Sequence, residues 1–444
     1  MVTEMYACEN VRTESYAALT NTPPPCAMRA PGYAQAAFAL EQMVDEIAHE
    51  MGMDPIDFRI RNIPARDPDS GRAYASPRGV NGLAECLKKG AEIFKWTQRK
   101  NETRMRTAAP PADPAQPSVG PAPMVKTGIG VAATCWSGGG GPPAAVTIRL
   151  HEDGTADLFA GAADIGTGTR TVLAQIAAEE LGIRVGDVRV TNADTHLTSY
   201  ARPSYGSFTL PSSGPAVRAA GNAVRRQLLS LAAGVLQTTE KNIVLTEGRA
   251  VRPASKKTPE ESAPVGKLVA LSPAREILGH GERERNPDLA VKSYGVQFAA
   301  VEVDVETGKI ALSALVAVND SGRVINHLTF ESQQMGGALM GLGMALIEER
   351  VYDQSSGKPL NPNLSDYKVP TILDQPAEFQ AARIEVPFDG NSIGAKGLGE
   401  PPIIPTSAAV ANAVFDAIGI RMDRLPLTPK RVLDALYPGK AETK

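Results

Sequence analysis

Glu400 ends the run Gly394-Ala395-Lys396-Gly397-Leu398-Gly399 and is followed by Pro401-Pro402 and an apolar segment. Glycines at 394, 397 and 399 let the main chain approach a ligand closely, and the two prolines stiffen the residue that carries the carboxylate. A carboxylate held this way can serve as a general base. The same residues also describe a glycine-rich turn with a solvated glutamate. Arg29 offers a second chemistry. It lies among small, stiff residues in Pro23-Pro24-Pro25-Cys26-Ala27-Met28-Arg29-Ala30-Pro31-Gly32. A fixed guanidinium there can grip a carbonyl or carboxylate or stabilise growing negative charge. It can equally be a structural arginine that hydrogen-bonds loop carbonyls.

Two further segments run directly into apolar-periodic stretches. Asp164-Ile165-Gly166-Thr167-Gly168-Thr169 precedes a helix predicted over 170–181, with Val172, Leu173, Ile176, Ala177 and Leu181 on one face. Ser212-Ser213-Gly214-Pro215 precedes a helix predicted from Ala216 to Ala233. A helix N-terminus with glycine and hydroxyl residues presents unpaired N–H donors and a favourable dipole to an anion; the plain alternative is N-capping. Gln333 stands before Gly336-Gly337 in a predicted helix that also holds Gly341 and Gly343. Each helical glycine costs about 1 kcal/mol against alanine, so close packing against a ligand or a neighbouring helix is implied. Taken together, these loops suit a cofactor with phosphates and many polar edges.

The elements that must position these residues are of mixed type. A helical stripe runs from Ala34 to Met51, Gly52 ends it, and Asp54-Pro55 reads as the cap and first position of the next helix. Strand alternation appears from Ala145 to Leu150 and Thr155 to Phe159 about a turn at Glu152-Asp153-Gly154, and from Val296 to Val305 and Lys309 to Val318 about Glu306-Thr307-Gly308. Helices are predicted at Glu331–Ile347 and Ser407–Ile418. The stretch from Thr238 to Asp288 reads as charged, irregular surface. The order of elements predicts an α+β architecture. Residues 103–124, rich in alanine and proline without apolar periodicity, read as a linker between a region at 1–102 and one at 125–444.

Composition removes several function classes. The 444 residues are 43% hydrophobic and 21% charged with a net charge of -3, which gives no reason to expect nucleic acid or an anionic membrane as partner. The longest apolar run, near residues 337–347, falls short of the roughly 20 residues a membrane span needs. The start, Met1-Val2-Thr3-Glu4, has no secretory signal pattern. Cys8, Cys26, Cys86 and Cys135 form no Cys-x-x-Cys pair, and the five histidines form no His-Glu-x-x-His. The expectation is reduced cysteines in a cytoplasmic setting, and any metal carried by an organic cofactor with few or no protein ligands.

The segments Met28-Arg29-Ala30-Pro31-Gly32, Ala163 to Thr169, Ser212-Ser213-Gly214, Ser332-Gln333 with Gly336-Gly337, and Gly397 to Pro402 resemble, in order and across nearly the whole chain, the molybdopterin-binding large subunit of the xanthine dehydrogenase/aldehyde oxidase family, the molybdenum hydroxylases. The Arg-Ala-Pro-Gly variant looks most like bacterial aldehyde- or xanthine-type subunits. Carbon monoxide dehydrogenases carry a cysteine where Ala30 stands. The resemblance implies hydroxylation of an aldehyde or N-heterocycle with water as oxygen source, at a molybdenum centre held by a pterin dithiolene. Glu400 would be the general base as hydride passes to the metal's sulfido group, with Arg29 close to the substrate. Asp164, Ile165, Gly166, Thr167, Gly168, Thr169, Ser212, Ser213, Gly214, Gln333, Lys396 and Gly397 would hold the pterin and its pyrophosphate, usually in bacteria a cytosine dinucleotide. Electrons would leave through [2Fe–2S] and FAD partner subunits.

Family large subunits are longer, opening with a hammerhead domain and a Gly-Gly-Gly-Phe-Gly loop that are absent here. The expectation is therefore the C-terminal portion of such a subunit, completed by an N-terminal complementary chain. A truncated, non-catalytic fragment is the alternative. A partner's signal could also carry the assembly to the periplasm.

Overall fold

The computed structural model describes residues 1–438 except 25, 108–123, 140, 142, 256–257 and 285–287. In chain order the elements are α1 (Tyr33–Glu50), α2 (Pro55–Arg61), α3 (Leu83–Phe94), α4 (Trp96–Thr107), β1 (Val125–Ser137), β2 (Ala145–His151), β3 (Ala156–Ala160), α5 (Thr169–Leu181), β4 (Val188–Asn192) and α6 (Thr209–Val235). There follow β5 (Val244–Thr246), β6 (Arg249–Arg252), β7 (Glu261–Pro264), α7 (Val265–Val269), β8 (Glu276–Glu282), β9 (Lys292–Asp304), β10 (Ile310–Asp320), α8 (His327–Leu346), β11 (Glu378–Ile384), α9 (Thr406–Ile418) and α10 (Pro429–Leu436). The architecture is α+β with mixed sheets.

The larger sheet has the order β1-β9-β10-β11. β9 pairs antiparallel with β1 and β10, and β10 pairs parallel with β11. Alternate side chains of the long strands face opposite ways, as the period of two requires. Val131, Cys135, Val296 and Phe298 pack with Leu83, Leu87 and Phe94 of α3. Ala132, Ala299, Val301 and Leu315 pack with α8 and the alanine-rich α9. Met5 belongs to the α3 cluster, so the first residues share a core with strands that follow the expected linker. Of that linker, 103–107 continue α4 and the remainder to 123 lies outside the described residues.

The second sheet has the order β4-β3-β2-β8 and is covered by α5 and α6. Every second residue of β2 is buried, with Val146, Ile148 and Leu150 inside. Burying each such side chain contributes roughly 1.5–3 kcal/mol. The hairpins about Asp153 and about Thr307 form as predicted, and Asp54 caps α2 through Ile56 N at 2.9 Å.

Two expectations are corrected. The described residues between 238 and 288 hold regular elements: β5, β6 and β7 form a third sheet, and β8 joins the second. Its strands are short, and Gly279 and Gly281 of β8 present no side chain to α6, so the apolar signal of a strand is missing from the sequence. α6 begins at Thr209, so Ser212, Ser213 and Gly214 lie inside the helix rather than in a loop before it. Pro215 forfeits one helical bond, yet burial of Pro211 to Gly214, with Gly214 tight against Ile393, Leu210 and Ile176, keeps the early turns helical.

Candidate active site

A cavity of about 590 Å³ lies where the two larger layers meet. Its wall comes from the loop before α1, the loop before α5, the turn before α6, the first half of α8, and Lys396 to Glu400. Apart from the turn before α6, these segments hold residues that the sequence singled out, gathered at one place by the packing of both sheets.

Glu400 opens a short helical turn, Pro401–Ile403, and its backbone is anchored before and after. Lys396 N donates to Ser321 O at 2.7 Å, Gly397 N to Gly138 O at 2.6 Å, and Ser293 Oγ to Gly397 O at 2.6 Å. Gln297 Nε2 donates to Pro402 O at 2.6 Å. Gly397 is required by close approach: a Cβ there would lie 1.9 Å from Ser207 O. The glycines thus serve protein–protein contact within the loop as well as access to the cavity.

The Glu400 carboxylate accepts from Ala30 N at Oε1 (3.1 Å) and from Ser207 Oγ at Oε2 (3.4 Å). Burial pushes its pKa up, and the Ala30 N–H, the Ser207 hydroxyl and the Arg29 charge offset only part of that, so the group sits above the ordinary carboxylate value. Arg29 donates through Nε to Gly399 O at 2.5 Å and through its second terminal nitrogen to Gln333 O at 3.3 Å and Gln333 Oε1 at 3.0 Å. Its other terminal nitrogen meets Met340 Sδ at 3.4 Å. These partners make Arg29 a tie between three wall segments. Burial lowers its pKa, with Glu400 opposing.

Ile165, Gly166, Thr167, Thr169, Gln333, Lys396 and Gly397 line the cavity with Arg29 and Glu400. Asp164 and Gly168 stand just behind that lining. Asp164 accepts from Gly166 N (3.0 Å), Gly168 N (3.3 Å) and Arg170 N (3.1 Å), so it takes donors that an anion would otherwise meet. Burial alone would raise the Asp164 pKa, and these donors turn the shift downward. Ser212, Ser213 and Gly214 are buried in α6 and do not line the cavity. Lys396 commits its ammonium to Asp320 Oδ2 at 2.5 Å, both groups being buried. The α8 glycines divide: Gly337 and Gly341 abut Pro402 and Thr406, whereas a Cβ at Gly336 would meet nothing within 4 Å.

Ser207 and the Ala30 amide were invisible to the sequence argument. Both residues hold left-handed backbone, φ 62° and 58°, a state no motif announces. The turn before α6 is held by Trp136 Nε1 donating to Gly206 O at 3.0 Å, and Trp136 packs edge-on against Tyr33 of α1.

The largely apolar cavity carries a few groups that could meet the polar edges of a cofactor. Gly166 (φ 95°) has open space where a Cβ would stand, and Thr167 and Thr169 place hydroxyls on the wall. Gln333 gives Oε1 to Arg29, and no acceptor among the described residues takes its Nε2. Among the described residues no three His, Cys, Asp or Glu side chains converge in a metal-binding group, so a metal here would depend on ligands from such a cofactor.

The chain belongs to the molybdopterin cofactor-binding domain family, whose descriptions match residues 92–376 and 1–63. A putative xanthine dehydrogenase molybdenum-binding subunit, XdhA of Escherichia coli K12, is 34% identical over 94% of this chain and 54% of that protein. The aldehyde oxidoreductase molybdenum-binding subunit PaoC of the same strain is 31% identical over 97% of this chain and 55% of its own length. The chain thus spans about half the length of these curated relatives. Quinoline 2-oxidoreductase of Pseudomonas putida 86 shares the fold with a TM-score of 0.76 and 25% identity, over 92% of this chain and 53% of that one. Reconstituted CO dehydrogenase from Oligotropha carboxidovorans has a TM-score of 0.77 at 24% identity, over 91% and 51%, a likeness of fold.

Proposed function

We propose that this chain is the portion of a molybdenum hydroxylase large subunit that carries the general base, acting on an aldehyde or N-heterocycle with water as the oxygen source. The carrying observation is Glu400, held by Ala30 N and Ser207 Oγ beside Arg29 in the cavity wall. The molybdenum–pterin group, when bound, supplies the two-electron redox chemistry. Gln333 Nε2 and the Thr167 and Thr169 hydroxyls would hold it. Glu400 takes the proton from the water-derived nucleophile at Oε2, the oxygen with the longer protein hydrogen bond. Arg29 places positive charge beside Glu400 and fixes Gly399, so the carboxylate keeps its position as the proton arrives.

The same reading includes the division at residues 103–124, a cytosine dinucleotide form of the cofactor, and [2Fe–2S] and FAD groups on partner subunits. Relatives named as subunits support the partners, among them the gamma subunit of the 6-hydroxypseudooxynicotine dehydrogenase complex of Paenarthrobacter nicotinovorans. Met28, Ile165 and Tyr205 are exposed at the cavity and Leu328 is exposed on α8, an apolar rim that suits cover by a complementary polypeptide. No helix among the described residues is long and apolar enough to cross a membrane. Cys8, Cys26, Cys86 and Cys135 are free thiols, which suits the proposed cytoplasmic setting.

The test is molybdenum and pterin analysis of the chain purified from its host with whatever co-purifies. Near-stoichiometric metal, a complementary chain and aldehyde or heterocycle turnover are expected. Neither metal nor partner would leave a non-catalytic remnant.

A further inference from the structure

We propose that Ser207 is a positioning residue for Glu400, gripping the backbone and the carboxylate of the base at once; this rests on the reading of Glu400 as the base. Ser207 Oγ accepts from Glu400 N at 2.8 Å and donates to Glu400 Oε2 at 3.4 Å, across 193 positions of sequence. The Ser207 carbonyl meanwhile fills the space beside Gly397. One residue therefore sets both the path of the loop and the rotamer of its acid.

Ser207 is itself firmly placed. Gly206 is tied to Trp136, Phe208 N donates to Tyr205 O at 3.2 Å, and Ser204 Oγ donates to Ala163 O at 2.6 Å in the loop before α5. Its φ of 62° costs a serine strain that a glycine would escape. What the side chain adds at that cost is the pair of bonds to Glu400.

A hydroxyl suits the task because it can change roles. With Glu400 ionised it donates to Oε2; with Glu400 protonated, its second lone pair can accept from the acid, the first being used by Glu400 N–H. The base then changes protonation state without losing its partner, so little reorganisation accompanies proton transfer.

The experiment compares Ser207→Ala and Ser207→Gly in the intact complex that contains this chain. The Glu400 carboxyl band in the infrared, identified as the band absent in Glu400→Gln, is titrated, and benzaldehyde oxidation is followed against pH. Both variants should raise the apparent pKa of Glu400 by about half to one unit, the size of one ordinary net hydrogen bond. The acidic limb of kcat should move to higher pH by the same amount. At neutral pH kcat should fall roughly 3–10-fold with KM nearly unchanged, as for an interaction that acts on the reacting state. Ser207→Gly accepts the backbone without strain and should keep the wild-type melting temperature, which separates the effect from misfolding. An unmoved Glu400 band and an unmoved pH profile in Ser207→Gly would overturn the proposal. If the wild-type complex holds no molybdenum and oxidises nothing, the hydroxylase reading falls. The Glu400 band in Ser207→Gly still decides whether Ser207 holds the carboxylate.

Discussion

Arg29 and Gln333 are joined twice: one guanidinium nitrogen donates to both the backbone carbonyl and the side-chain Oε1 of Gln333, at 3.3 and 3.0 Å. The tie links the loop before α1 to α8, and Arg29 Nε extends it to Gly399, next to the base. A planar fork serves these diverging acceptors where a point charge cannot. Arg29→Lys should therefore lower turnover of the intact complex roughly 10–100-fold, the range for losing one or two hydrogen bonds from a charged group. The melting temperature should fall as well, because Gly399 and Gln333 lose a donor. Steady-state kinetics and thermal melts check this, and wild-type turnover in the lysine variant would remove Arg29 from the mechanism.

Glu400→Gln should leave the fold intact and reduce turnover roughly 100- to 10,000-fold, the usual contribution of general-base catalysis. The wild-type rate should rise with pH through the Glu400 titration, since only the ionised form accepts the proton. Because burial holds that pKa up, the limb should lie above the ordinary carboxylate range. A folded-state pKa above the unfolded one gives stability that is present at low pH and lost as pH rises through the folded value. The glutamine variant should escape that loss and melt no lower than wild type at neutral pH. A lower melting temperature would contradict the assignment.

Lys396 and Asp320 form a buried pair, with Asp320 Oδ1 also accepting from Gly322 N at 3.0 Å and Val386 N at 3.3 Å. Removing one partner leaves an uncompensated buried charge, so Lys396→Met should cost about 3–5 kcal/mol. Lys396→Met combined with Asp320→Leu should recover part of it. Denaturant melts of the single and double variants measure the difference. A mild single-variant effect would free Lys396 for direct work on a cofactor.

Glu4 predicts acid sensitivity at the edge of the α3 core. Burial raises its pKa, but hydrogen bonds from Lys292 and Tyr33 and the Lys292 charge overcome this and hold it at about 2, against an ordinary 4.5. A depressed pKa contributes stability that is present above the unfolded value and lost as pH falls toward the folded one. Stability should decline between pH 4.5 and about 2, and Glu4→Gln should flatten part of that decline. Melts across this window decide, and identical slopes in both proteins would count against the pair.

Local order determined much of what the sequence could tell. The apolar stripe of α1, the cap at Asp54 and the hairpins about Asp153 and Thr307 all depend on neighbours within a few positions, where periodicity and turn chemistry act. Order along the chain also carried the family resemblance. The tertiary structure decided the rest. α6 starts at Thr209 because buried contacts hold its first turns helical, and β8 is a strand because glycines let α6 lie against it. Arg29 reaches Gly399 across 370 positions and Ser207 reaches Glu400 across 193. Such bonds are set by how two sheets close on one cavity, and residue types spaced along a chain carry no record of that closure.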